Sequence, residues 1–304
     1  MSKYDVSRFK GIFVELHACY DANGDVNLAA VKKLARMYAD VGVSGLYVCG
    51  STGDGMLQTA EERKRITEAV LEEVGGDLTI IVHVGAPSTR EAVELAKHAA
   101  AAGCHATSAV PSIYYHLSEA SIQAHWTAIT EAADVPFFIY NIPTLTGYSI
   151  TSHMLDAMLK NERVAGIKNS SEIAHDILRL KQAGGRDFVV FNGPDEQYLA
   201  GRAMGADAGI GGTYGAMPEL YLKLESCIQA GNLAEAQKWQ NIITPLIYRL
   251  CGFPSMTGAV KAIIRKRGID VGQPRLPFLP VADDHPGIQE LFDDIMRYTE
   301  EAKK

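Results

Sequence analysis

A chain of 304 residues, 47% hydrophobic and 21% charged, has the composition of a globular protein and is long enough to bury a large core. Its net charge is -7 and its densest basic run, at 263–268, ends a helical pattern, which argues against a nucleic-acid or anionic-membrane surface. Five cysteines, an odd number with no C-x-x-C spacing, argue against a disulfide framework or a cysteine zinc site and suit reduced thiols in a cytoplasm.

No stretch approaches the length of uncharged apolar sequence needed to span a bilayer, and the first eleven residues lack the apolar region of a signal peptide. Short apolar runs alternate with helical patterns. The first run, 11–18, precedes a helix in which Leu28, Val31, Leu34, Ala35 and Tyr38 recur at spacings of three and four, with Lys32, Lys33 and Arg36 opposite. The second, 45–51, ends in the turn GSTGDG at 50–55, and Thr59 and Glu62 have the spacing of a capping box. The third, 79–86, precedes a similar spacing at Ser88 and Glu91, with Ala92, Leu95, Ala96 and Ala99 as an apolar face. Further runs follow at 106–112, 136–143, 164–171, 188–195 and 208–215. Most are apolar throughout, as parallel strands covered on both faces should be.

Helical patterns then take over at 217–230, 233–251 and 256–267, and after a Pro-rich stretch near 286–302. Eight strand–helix units predict an α/β fold, a (β/α)8 TIM barrel over residues 1–220, with a helical extension over 221–304 packed on it. The first run is not followed by G-x-G-x-x-G, which argues against a dinucleotide-binding sheet.

The active site of such a barrel lies at the C-terminal ends of its strands. Strand two would deliver Ser51 and Thr52, strand four Tyr114 and Tyr115, and strand five Tyr140. Strand six would deliver Lys168, strand seven Asp195 and Glu196, and strand eight GGTYG at 211–215. Lys168 stands where the apolar run Val164–Ile167 gives way to Asn169, Ser170 and Ser171. Its ammonium has two readings there: half of an ion pair, or a head that reaches out of the mouth, against an amine made reactive by burial.

Free lysine titrates near about 10.4, and burial can lower that by about 3 units. A neutral amine attacks a carbonyl and forms a Schiff base. The iminium draws electrons from the adjacent carbon, so a C–C bond to that carbon can break. A nearby phenol can move the proton this needs. Tyr140 alone reads as a core aromatic, but beside a basic amine it fits imine chemistry. GSTGDG lacks the Gly-Lys-Ser/Thr ending of a phosphate loop. Its amides and the hydroxyls of Ser51 and Thr52 suit a carboxylate. Asp195 and Glu196 fit a metal, sugar hydroxyls or a solvated loop.

Taken in order, GSTGDG, IYNIPTLTG, GIKNSS, NGPDE and GADAGIGGTYG resemble the N-acetylneuraminate lyase and dihydrodipicolinate synthase family along nearly the whole barrel. The resemblance implies a (β/α)8 barrel, usually tetrameric, with Lys168 as Schiff-base lysine, Tyr140 as acid/base and Tyr114 contributing to catalysis. It implies that Ser51 and Thr52 hold the 2-oxo acid carboxylate. Ser170, Gly193, Gly211 and Gly212 would line the substrate site, with Asp195 and Glu196 on a polyhydroxy tail. No cofactor is implied beyond the covalent imine, and no metal. Members that make dihydrodipicolinate carry an arginine two residues after the proline of the tyrosine motif, where this chain has Leu145. Leucine cannot grip a carboxylate bidentately, and the sialic acid lyases share it. Three positions depart from that branch: Asp54 replaces a glutamate, Gly212 a serine and Ser170 a threonine.

The expected function is therefore a class I aldolase that cleaves N-acetylneuraminate to pyruvate and N-acetylmannosamine. The alternatives within the family are a pyruvate-dependent aldolase or dehydratase for another 2-oxo sugar acid, such as 2-keto-3-deoxygluconate, and a dihydrodipicolinate synthase. A metal-dependent barrel hydrolase would need Glu15, His17 and His83 to converge. A sensor barrel would need neither Lys168 nor Tyr140. A cytoplasmic homotetramer is expected, with Tyr115 beside Tyr114 as a candidate to reach a neighbouring subunit.

Overall fold

A computed structural model describes residues 2–304. Eight parallel strands close a barrel in chain order: β1 (Gly11–Glu15), β2 (Gly45–Val48), β3 (Thr79–His83), β4 (Ala106–Ala109), β5 (Phe137–Asn141), β6 (Val164–Asn169), β7 (Val189–Asn192) and β8 (Ala208–Gly211). Between them lie α1 (Leu28–Val41), α2 (Ala60–Val74), α3 (Thr89–Ala101) and α4 (Glu119–Ala132). The short α5 (Pro143–Thr146) and α6 (Ser152–Met158) both follow β5, and α7 (His175–Gly184) and α8 (Tyr198–Ala203) complete this part. The chain ends in α9 (Pro218–Gln229), α10 (Leu233–Cys251), α11 (Met256–Lys266) and α12 (Pro286–Ala302). The TIM barrel with its helical extension is thus present.

The strand ladders stop earlier than the apolar runs. The residues just beyond them, Val84, Ala86 and Val110, are buried although they no longer pair as strands. Buried loops carry the same apolar signal as buried strands, so hydrophobicity alone overshoots the strand ends. The helix starts follow their caps. Thr59 and Glu62 form the reciprocal capping box of α2, and Ser88 accepts the Glu91 N–H at the start of α3. Leu34, Ala35 and Tyr38 of α1 are fully buried, as their spacing requires.

The barrel interior is aromatic. Phe9 closes its lower end against Phe138, with ring centroids 4.9 Å apart, and Phe191 meets Phe13 at 5.2 Å and Phe138 at 5.3 Å, all edge to face. Two glycines make room for these rings. A Cβ on Gly45 would come 2.3 Å from the Phe13 ring, and one on Gly166 would come 2.6 Å from the Phe138 ring and 2.2 Å from the Val189 carbonyl. Above this floor the polar ends of β1, β5 and β6 reach the mouth.

The C-terminal helices are part of the barrel's wall and lid. Helix α9 packs on β1 and α1, and α10 packs along α9. Arg267 donates to Glu219 at 3.0 Å and to the Ala216 carbonyl at 3.1 Å. Arg275, in the Pro-rich stretch, donates to the Gly24 carbonyl at 3.0 Å and to Glu62 at 3.1 Å, and holds the Glu62 carboxyl down at about 2. That stretch is a clamp across the β1–α1 loop and the start of α2. Among the described residues no helix is long and apolar enough to cross a membrane.

Gly166→Ala is expected to destabilise the barrel by about 1–3 kcal/mol, because backbone and an aromatic ring must both yield. Denaturant unfolding should show a lower midpoint with an unchanged slope.

Candidate active site

Strand alternation turns Glu15, Tyr47, Tyr140 and Lys168 into the barrel, and all four are buried. The β5–β6 register sets Tyr140 directly opposite Lys168. Lys168 Nζ donates to the Tyr140 hydroxyl at 3.0 Å and lies 4.1 Å and 4.5 Å from the ring centroids of Tyr140 and Tyr47. It also forms an ion pair with Glu15 Oε1. Both readings of the lysine therefore hold together: it is paired, and it is buried beside a phenol.

Burial pulls the Lys168 pKa well below its ordinary value, and the nearby Asp195 opposes this. The Glu15 carboxylate acts in the same sense as Asp195, since an opposite charge in contact favours the ammonium. Burial pushes Tyr140 up to about 12, with the Ser51 and Ser170 hydroxyls acting against it. One residue further along, Asn141 donates to Asn169 at 2.8 Å and accepts the Ile150 N–H at 3.0 Å. These bonds fix the two strand ends that carry the phenol and the amine.

A cavity of ≈ 370 Å³ opens above the pair. Ser51, Thr52, Ser170, Gly193, Asp195, Glu196 and Gly212 line it with Tyr140 and Lys168. Gly211 sits behind the wall, where a Cβ would meet the Tyr214 ring and Asp195 Oδ1. Tyr114 and Tyr115 stand away from the cavity of a single chain, 89% and 70% exposed, with their rings 5.0 Å apart. Tyr114 has a φ of 80°, in the left-handed region.

The backbone turns through the left-handed region at Cys49, just before GSTGDG, and at Asp54 within it, with φ of 58° and 55°. Inside it the Thr52 N–H donates to Glu15 Oε2 at 3.1 Å. Gly212 faces this turn closely, and a Cβ there would come 2.8 Å from Thr52 Oγ1. The glycine that departs from the lyase pattern is thus matched to the threonine opposite.

The acidic pair divides. Asp195 is buried and accepts from the Thr213 N–H at 2.8 Å and from the Thr213 hydroxyl, which ties the loop after β7 to that after β8. Glu196 is exposed at the cavity wall. Leu145 lies on the same wall, and so does Glu172. Glu172 directly follows GIKNSS and Thr213 lies inside GGTYG, but neither residue carries a local sign of its role. Ile247, Cys251 and Met256 also line the cavity, from α10 and α11, and no local pattern marks them.

The three residues of the hydrolase reading do not act as a ligand set. Glu15 is taken by Lys168 and Thr52, and His17 is buried with neither ring nitrogen hydrogen-bonded. His83 is placed by the Cys49 carbonyl at 3.1 Å and the Val110 N–H at 3.2 Å. Among the described residues no three His, Cys, Asp or Glu side chains gather to hold a metal ion.

A parallel eight-stranded barrel with a lysine–tyrosine pair at its C-terminal mouth defines a broad class. Residues 8–294 match the Dihydrodipicolinate synthetase family, and the chain belongs to it. The N-acetylneuraminate lyase of Mediterraneibacter gnavus is 42% identical over 283 residues, 92% of this chain and 90% of the relative. That of Rhizobium meliloti is 33% identical over 298 residues, 98% and 99% of the two chains. The structure of a catalytic lysine mutant of Ruminococcus gnavus sialic acid aldolase superposes with a TM-score of 0.96 at 40% identity, covering 99% of each chain.

Burial raises Asp195 from the ordinary 3.8 to about 6. A folded value above the unfolded one favours the fold below about pH 4, and that contribution is lost as pH rises through about 6. At neutral pH the ionised form costs at most roughly 2–3 kcal/mol. Asp195→Asn is therefore expected to melt higher than the parent at pH 7.5, with the gain shrinking towards pH 4. Thermal scans of both proteins across that range check it.

Proposed function

We propose that this chain is a class I aldolase that cleaves N-acetylneuraminate to pyruvate and N-acetylmannosamine. The observation that carries the reading is the Lys168 amine 3.0 Å from the Tyr140 hydroxyl, buried under a cavity rimmed by hydroxyls and amides. The relatives named N-acetylneuraminate lyase support the substrate, and the catalytic lysine of the aldolase mutant supports the role of Lys168.

The neutral Lys168 amine attacks C2 of the open-chain keto acid, and water leaves to give an iminium. Ser51, Thr52 and the turn amides hold the C1 carboxylate. The iminium places a positive charge beside the phenol, which favours the phenolate, and the phenol proton leaves to water in the open cavity. Tyr140 takes the proton of the C4 hydroxyl, the C3–C4 bond breaks, and its electrons pass to the iminium as an enamine. N-acetylmannosamine leaves as the aldehyde. Protonation at C3 and hydrolysis then release pyruvate and restore Lys168.

Leu145 offers no cation to a carboxylated aldehyde, which favours a sugar over the dihydrodipicolinate reaction. Glu196 and Glu172 present acceptors to the hydroxyl tail, while Asp195 holds Thr213 in place. Gly212 and Ser170 favour a second reading, the same chemistry on another 2-oxo sugar acid. The enzyme works without a cofactor or metal, as a cytoplasmic homotetramer. All five cysteines being free thiols suits a reducing compartment, and the exposed Tyr114–Tyr115 pair is available to a neighbouring subunit.

Incubation with pyruvate and borohydride is expected to leave a reduced adduct on Lys168. Lys168→Ala should abolish adduct and turnover together. Tyr140→Phe should keep the adduct while pyruvate release falls by about 10²–10⁴-fold. Absence of an adduct at Lys168 in the parent enzyme overturns the reading. Turnover of a deoxy hexonate without turnover of N-acetylneuraminate selects the second one.

A further inference from the structure

The reactive lysine has a partner that the cleavage steps do not use. Glu15 ends β1 inside the barrel, is 2% exposed, and lines the cavity. One carboxylate oxygen pairs with Lys168 Nζ, and the other accepts the Thr52 N–H at 3.1 Å. It therefore bridges the amine and the very amide that the lyase reading gives to the substrate carboxylate. Glu15 is a carboxylate already seated where, in the lyase reading, the substrate carboxylate binds.

We propose that Glu15 is a specificity gate: it holds Lys168 as an unreactive ammonium until a ligand bearing its own carboxylate displaces it from the Thr52 amide. This rests on the lyase reading. An ammonium has no lone pair with which to attack. An arriving 2-oxo acid carboxylate takes the Thr52 N–H and brings a like charge beside Glu15. Losing a hydrogen bond and gaining a like charge both disfavour the Glu15 anion. A proton then passes from Lys168 Nζ to Glu15 Oε1, leaving a neutral amine and a neutral acid with no change in net charge. The amine attacks C2, and one nitrogen proton moves to the new alkoxide. Glu15 returns its proton to that hydroxyl, water leaves, and the C=N bond forms. The restored carboxylate faces the iminium.

No other neighbour is as well placed for this exchange. Tyr47 and His83 pack around the pair from β2 and β3, and burial holds the phenol protonated and the imidazole neutral. Tyr140, from β5, carries a firmly held proton. Asp195 is engaged by Thr213. A neutral carbonyl compound lacks the group that would move Glu15, so the gate selects 2-oxo acids before any sugar is recognised.

Glu15→Gln keeps the size and the acceptor for the Thr52 N–H but removes the charge. The test is the rate of cyanoborohydride trapping at Lys168, mapped on the peptide, with pyruvate and with acetaldehyde, across pH. The parent is expected to trap pyruvate and strongly disfavour acetaldehyde. In Glu15→Gln the acid limb of trapping should move down by at least about one pH unit, which is about tenfold more free amine at a fixed pH below it. The preference for pyruvate should fall about tenfold or more. An acid limb that stays or moves up, or an unchanged preference, overturns the gate. A second measurement needs no variant: formate added with acetaldehyde supplies the two halves of pyruvate separately and should raise acetaldehyde trapping in the parent. No effect of formate counts against the gate. A parent that traps no pyruvate at all is a different result, and it overturns the lyase reading itself.

Discussion

The chemistry at the mouth of this barrel depends on keeping one amine out of water. A buried Lys168 is costly as an ammonium and reactive as an amine, and its neighbours decide between the two. Tyr140 stands opposite because β5 and β6 pair in register, and Glu15 reaches it from β1 across the barrel. A parallel barrel is well suited to this, since its strand ends converge on a single point from positions far apart in the chain. In the proposed reaction the phenol moves a substrate proton, while in the proposed gate the carboxylate controls the lysine's own proton. One buried group therefore carries both the proposed reaction and its proposed gating.

The rest of the structure serves to hold those three side chains still. Below them, edge-to-face phenylalanines fill the barrel where Gly45 and Gly166 leave room. Beside them, Asn141 and Asn169 join the ends of β5 and β6, and Asp195 joins the loops after β7 and β8 through Thr213. Above them, α10 and α11 close one side of the cavity with Ile247, Cys251 and Met256. Arg267 and Arg275 bind the C-terminal part to the barrel at carbonyls and carboxylates of three separate segments. A site held this firmly loses little to reorganisation when charge develops in it.

Much of this is legible in the sequence. Unbroken apolar runs marked the buried parallel strands, and Thr59 and Ser88 marked helix starts through the caps they form. The lysine and tyrosine were recognisable because each interrupts an apolar strand at its end. The strand ends were overshot because buried loop residues such as Val84 and Val110 look like strand residues. The acids of NGPDE admit a metal, sugar hydroxyls or a solvated loop, and only the Thr213 contact sets Asp195 apart from Glu196, since a loop carboxylate carries no local sign of burial. Tyr114 belongs to a catalytic motif by resemblance, yet in a single chain it points away from the cavity.

The sequence by itself determined the class of fold and the type of chemistry. Periodicity is a local property, and an amine with a phenol on neighbouring strand ends is a matter of residue type and order. Only the tertiary structure decided what surrounds the amine. Glu15 lies 153 residues from Lys168 along the chain, and in the sequence it is only one inward-facing residue of β1. Ionisation responds to distance and desolvation in space, neither of which chain order records. The strands say that a lysine can act here, and the closed barrel says which carboxylate it pairs with.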